Sequence, residues 1–211
     1  MQKKRQCDIK MDLETDKKII KIITEKRTIS KSFSKIINEF DDKFSNFNLI
    51  NNCFDLADYF HEGSGQVTAT KKLIEDGRIQ KNWLRKYKTK SGKTKTDFKG
   101  LYVFLIDKTP FYVGISKGVI GRVIQHIKGH NHNTSSLAYK IGLKRFELLS
   151  GNKYKGSRKE LNFKTEVEPV KDFLSRQKIA WLNIDNDEEL FLFEVYCSMK
   201  LRTILNDFET H

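Results

Sequence analysis

The chain is short of what several protein classes require. Three of its 211 residues are cysteine, Cys7, Cys53 and Cys197, set far apart. That spacing gives neither a disulfide framework nor a zinc-ligand pattern, and it fits a reducing cytoplasm. No apolar run approaches the about eighteen residues of a membrane span. The start of the chain, 1–18, carries basic residues with no apolar stretch behind them, so no secretory signal is expected. Acid is scarce relative to base: 27 Asp and Glu stand against 40 Lys and Arg, a formal net charge of +13. Such an excess favours a polyanionic partner, because each phosphate neutralised releases condensed counterions. Solvated surface lysines produce the same total, so clustering carries more information than the sum. The length suits one large domain or two small ones, with ample chain to bury a core.

Three regions can be drawn. Residues 1–77 read as a helical N-terminal region. Phe33, Ile36, Ile37, Phe40 and Phe44 make one apolar helical stripe, Ile19, Ile20 and Ile23 suggest an earlier helix, and 66–76 reads as a helix ended by Gly77. Residues 78–99 form a basic arm or linker, in which nine Lys or Arg accompany a single acid, Asp97. Trp83, Arg85, Lys86, Lys88, Lys90, Lys93 and Lys95 are its candidate DNA-binding residues, since cations hold phosphates and flat rings stack on bases. Residues 100–211 carry the chemistry.

Here an apolar strand, 101–106, turns through 108–110 into a second strand, 111–115. Alternation brings Tyr102 and Tyr112 onto a common face. Gly118 opens a helix on which Arg122 and His126 lie one turn apart at the edge of the apolar side. Arg122 could equally make a surface ion pair, and a histidine at a helix end can be only a favourable cap. His130 and His132 lie near His126 without a closed ligand set. Further on, 135–141 reads as a short helix, 145–149 as a third strand and 152–159 as a second basic loop. Pro169 suits the first turn of a helix reaching about Gln177. A strand follows over 180–184, and then a helix capped by Asn186 or Asp187. On that last helix Leu190, Phe193, Cys197, Leu201, Ile204 and Leu205 share an apolar arc that includes Glu194. A carboxylate in such a setting must be paired, with Arg122 for example, or bound to metal.

The paired triplets Gly100-Leu101-Tyr102 and Tyr112-Val113-Gly114, nine residues between the tyrosines, resemble the signature of the GIY-YIG nuclease family. Arg122, His126, Glu194 and Asn206 follow in the family's order. The histidine four residues after the arginine is similar to the compact restriction-endonuclease branch, and the chain ends five residues after Asn206 without the DNA-binding domain of the homing endonucleases. The resemblance implies an α/β (α+β) fold, a small, mainly antiparallel sheet flanked by helices, here with a helical N-terminal extension. It implies a DNA endonuclease dependent on Mg²⁺ (or Mn²⁺) and acting on duplex DNA; monomer and homodimer both stay open. Tyr102 would be the general base, or would orient the water. Tyr112 would position the phosphate, Arg122 supply charge to it, and His126 hold or help deprotonate Tyr102. Glu194 would bind the metal, and Asn206 would order the site by hydrogen bonds. Restriction, defence, repair and mobile-element roles stay open, as does a catalytically inactive nucleic-acid binder with the same fold.

Overall fold

Strand β4 (Gly100–Ile106) is buried on both sides from Gly100 to Leu105. A strand apolar on both faces needs cover on both, and the rest of the chain supplies it. In the computed structural model, which describes residues 32–206 apart from 62, 64 and 89–91, β4 pairs antiparallel with β5 (Thr109–Ser116) and β6 (Lys178–Asn183). The two-residue β1 (Phe54–Asp55) adds to β6, giving the sheet order β1-β6-β4-β5. Register puts Tyr102 beside Trp181 and Phe104 beside Ile179. This face packs on helices α4 (Gln66–Glu75), α5 (Val119–Lys128), α6 (Ser136–Ser150) and α7 (Glu168–Ser175) through Leu73, Ile120, Val123, Leu137 and Leu174. The opposite face, with Leu101, Val103, Leu105 and Ala180, packs on α1 (Phe33–Asn38), α2 (Phe40–Phe47), the single turn α3 (Leu49–Asn52) and α8 (Asp187–Leu201). Each fully buried Leu, Ile or Phe in these layers stabilises the fold by about 1.5–3 kcal/mol relative to exposure.

The expected class, a mainly antiparallel sheet flanked by helices, is the observed one. Among the described residues, those from Phe33 onward make one compact unit, in which β1, from the region before residue 77, belongs to the main sheet. The earlier helix expected around Ile19–Ile23 lies outside the described residues. Further on, the single stripe from Phe33 to Phe44 is broken. Helix is interrupted at Glu39, and of the stripe Ile36 and Phe40 are buried while Phe33 and Ile37 face solvent.

Other elements also differ from expectation. The third strand expected at 145–149 is the second half of α6. Gly142 does not end that helix; it lets the Glu166 carbonyl approach to 2.4 Å of where a Cβ would stand. The helix stops instead at Gly151, in the left-handed region at φ +69°. The β4–β5 turn is tighter than expected, with Asp107 at φ +53°, so Pro110 falls inside β5. That strand lies at the sheet edge, where a missing N–H is tolerated. Asn186 does cap α8, its Oδ1 accepting from the Glu189 N–H at 2.8 Å. The helix ends at Leu201, so Ile204 leaves the expected arc and is exposed, while Leu205 returns to the core. Among the described residues no helix is long and apolar enough to cross a membrane.

Candidate active site on the β4–β5 hairpin

Register places the two tyrosines. Tyr102 lies opposite Gly114 and Phe104 opposite Tyr112, so the phenols are diagonal neighbours on one face, ring centroids 6.2 Å apart. Gly114 is a packing requirement: a Cβ there would stand 2.5 Å from the Tyr102 hydroxyl and Cζ. Tyr102 is 1% exposed, and its hydroxyl meets Nε2 of the fully buried His126 at 2.8 Å. The imidazole stands edge-on to Phe104 and Tyr112, and its Nδ1 has no hydrogen-bond partner among the described residues. Burial, with the Arg122 charge second, pulls the imidazole pKa down to about 3. Burial also raises the Tyr102 pKa well above its usual value, and Tyr112 adds to the rise while the Arg122 charge opposes it. Desolvation wins for both groups. The resting pair is therefore neutral phenol against neutral imidazole, not phenolate.

Arg122, one turn before His126 on α5, donates from Nη1 to Gln125 Oε1 at 3.1 Å and from Nη2 to Ser136 Oγ at 2.5 Å. These neutral partners orient the guanidinium without cancelling its charge. Among the described residues no carboxylate forms an ion pair with it. Glu194 comes from α8. Its carboxyl is half-buried, has neither hydrogen bond nor ion pair among the described residues, and is pushed up to about 7 by burial. It lies close enough to Tyr112 for its charge to raise that phenol's pKa, second to burial. The buried pair between Glu194 and Arg122, open on sequence, is not formed. A lone hard oxygen donor fits Mg²⁺ or Mn²⁺ whose remaining positions are filled by phosphate and water oxygens. Among the described residues no three possible metal ligands cluster. His132 is taken up in packing, its Nε2 2.7 Å from the Leu161 carbonyl and its ring against Tyr139 and Phe163.

Asn206 works through the backbone. Its Oδ1 accepts from the Val113 N–H at 2.8 Å, its Nδ2 donates to the Val113 carbonyl at 2.7 Å, and Thr203 Oγ1 donates to Oδ1 at 2.9 Å. The amide thus imitates one residue of a neighbouring strand. It satisfies the outer edge of β5 between Tyr112 and Gly114, and its part in the site is positional.

The basic arm is not a linker. It folds as an antiparallel hairpin, β2 (Arg85–Lys88) and β3 (Thr94–Asp97), with Lys86, Lys88, Lys93 and Lys95 exposed and Lys90 outside the described residues. Arg85 is exposed too, with Asp185 3.7 Å away. Trp83 differs from these cations: it is half-buried in a turn of 3₁₀-helix and packs on Phe98 at 5.5 Å, fastening the hairpin to the core.

Sequence reasoning missed the residue that fixes this hairpin to the site. Asp97 is 1% exposed, and its carboxylate accepts from the N–H groups of Phe98, Ile120 and Gly121 at 2.8, 2.9 and 2.8 Å and from Gln66 Nε2 at 3.0 Å. Gly118, the residue before α5, offers no side chain for the helix N-terminus, so Asp97 caps it from a distant strand and also meets the positive end of the helix dipole. Its backbone is thereby registered to the helix that carries Arg122 and His126. The available signal was its isolation as the one acid in a basic stretch. Comparison with protein-family models, with curated proteins and with solved structures found no match to this chain.

Proposed function

We propose that this chain is a GIY-YIG-type endonuclease, cytoplasmic and dependent on a divalent metal, that hydrolyses phosphodiester bonds in duplex DNA. The observation that carries the reading is the buried Tyr102–His126 hydrogen bond beside an arginine with no acidic partner among the described residues. Resemblance to the compact restriction-endonuclease branch supplies the reaction, attack of water in line with the leaving 3′ oxygen. Tyr102 takes the proton of that water as its own passes to His126 Nε2, so no free phenolate is needed beforehand. A phosphate facing Arg122 would neutralise one of the two causes that hold the imidazole pKa low, making His126 a better acceptor once substrate is bound. Arg122 meets the negative charge that develops on phosphorus oxygens, and Tyr112 positions the phosphate. Glu194 would hold Mg²⁺ or Mn²⁺, whose charge stabilises the leaving oxygen.

The test is plasmid cleavage. Nicking or linearisation should require Mg²⁺ or Mn²⁺, cease in excess chelator and return when the metal is restored, with no requirement for zinc. Robust cleavage in chelator contradicts the reading, and DNA binding without cleavage in either metal would leave only a nucleic-acid binder.

The exposed hairpin would hold the flanking phosphates. Changing Lys88, Lys93 and Lys95 to Gln should weaken DNA binding and make the plot of log affinity against log salt shallower by about 0.9 for each phosphate that is no longer neutralised. An unchanged slope would remove the hairpin from the interface.

A further inference from the structure

Strand β1 pairs with only the first part of β6, and the edge it leaves open is lined with polar groups. The Ile184 N–H donates to the Lys99 carbonyl at 3.2 Å, so by alternation Leu182 and Ala180 also turn their backbone groups toward β4. The N–H and C=O of Trp181 therefore point the other way, beyond the place where Phe54 of β1 pairs with Ile179. In that register Asn52 would come opposite Trp181, but it belongs to α3 and its N–H donates to the Asn48 carbonyl at 3.0 Å. Among the described residues neither backbone group of Trp181 is hydrogen-bonded.

A cleft of about 300 Å³ runs along this edge. Trp181 and Leu182 both border it although their side chains lie on opposite faces of the sheet, so it follows the strand edge and not one face. Asn46 of α2 lines one side, and Arg78, Gln80 and Trp83, after α4, line the other. The Asn46 and Gln80 side chains are exposed and make no hydrogen bond among the described residues. The Arg78 carbonyl accepts from Trp181 Nε1 at 2.8 Å, tying that wall to the strand, and its buried Nε has no partner among the described residues. Trp83 packs on Phe98 and stays half-buried, with the rest of its indole on the cleft. At the opposite edge of the sheet the outward N–H and C=O of Val113 are met by a planar amide, that of Asn206. A nucleobase offers the same adjacent acceptor and donor on its Watson–Crick edge, and it adds a flat face for an indole. A further peptide strand fits less well, because α3 stands where its next residue would run.

We propose that the open edge of β6 is a pocket for one unpaired nucleobase, hydrogen-bonded to the Trp181 backbone and held by Trp83, Asn46 and Gln80. The inference takes from the proposed function only that nucleic acid is the partner, not that it is cut. The base is either everted from a duplex or part of a free nucleotide. Trp83 and Trp181 are the two tryptophans of the chain, so indole emission, excited where tyrosine does not absorb, reports on this cleft alone. Nucleosides should quench it saturably, and a sugar phosphate without a base should not. A duplex with one base opposite an abasic site should quench it too, and should bind more tightly than the fully paired duplex, because an unpaired base costs least to evert. Asn46→Ala and Gln80→Ala together should weaken base binding on the order of tenfold, as two hydrogen bonds are lost, and each alone by a few fold. Circular dichroism checks that the variants are folded. Quenching by one source alone supports the pocket and identifies that source. Base binding without metal-dependent plasmid cleavage removes the nuclease reading and leaves this one standing. Saturation by neither source overturns the proposal, as does equal quenching by the base-free sugar phosphate. So do folded variants that bind bases as well as the parent, or an extended Thr-Val repeat peptide that quenches where nucleosides and the duplex do not.

Discussion

Replacing Glu194 with glutamine is expected to abolish most DNA cleavage while leaving the protein folded and somewhat more stable at neutral pH. Burial raises this carboxyl from the usual 4.5 to about 7. Between those values the folded chain holds a proton that the unfolded chain has released, so stability falls as pH rises from about 4.5 to about 7 and stays lower above. Allowing for the group's partial exposure, the cost of the ionised form is on the order of 1–2 kcal/mol. Glutamine removes that cost, and the stability difference should vanish below about pH 4.5, where both side chains are neutral. Metal reverses the comparison. Mg²⁺ at about a hundredfold over its dissociation constant should stabilise the parent by about 2.7 kcal/mol and leave Glu194→Gln unmoved. Thermal melts from pH 4 to 8, with and without Mg²⁺, together with single-turnover cleavage, check all three statements. A loss of about 3–5 kcal/mol in the variant, as when a buried ion pair is broken, would instead make Glu194 structural. Retained cleavage would remove it from the reaction.

Much of this arrangement is legible in the sequence because it rests on local periodicity. Two-residue alternation puts Tyr102 and Tyr112 on one face, the helical repeat puts Arg122 and His126 one turn apart, and the Asn186-Asp187 pair announces the start of α8, which Asn186 caps. What escaped depends on packing between distant segments. Asp97 caps a helix 23 residues further along, and no spacing rule connects the two. Trp83 reads as a free stacking ring until Phe98 is found beneath it. The 145–149 segment is expected as a strand, yet its Arg, Glu and Leu residues favour helix and α6 runs on through them, past Gly142, which admits the backbone of a neighbouring turn. Ile204 matches the apolar repeat of α8, but the left-handed Arg202 ends the helix first. Glu194 is an intermediate case. Its apolar surroundings were readable from the helix pattern, whereas the lack of a partner among the described residues is a fact of packing.

Tyr102→Phe is the smallest change that reaches the chemistry, since it removes one hydroxyl and keeps the ring that Gly114 makes room for. The cost to folding should be modest, about 1–3 kcal/mol, because His126 then loses the partner of Nε2 as well as lacking one at Nδ1. DNA affinity should be unchanged, as the exposed lysines and Arg122 are untouched. The rate should not be spared, because a positioned acid–base group contributes on the order of a hundredfold or more. A tyrosine that only packs would lose nothing of this kind. The deciding measurement is single-turnover cleavage of duplex DNA in Mg²⁺, at saturating protein and below the melting transition of both forms. A Tyr102→Phe rate lower by on the order of a hundredfold or more, at equal DNA affinity, is the expected result; a rate within a few fold of the parent would contradict the assignment of Tyr102 and His126 as the reacting pair.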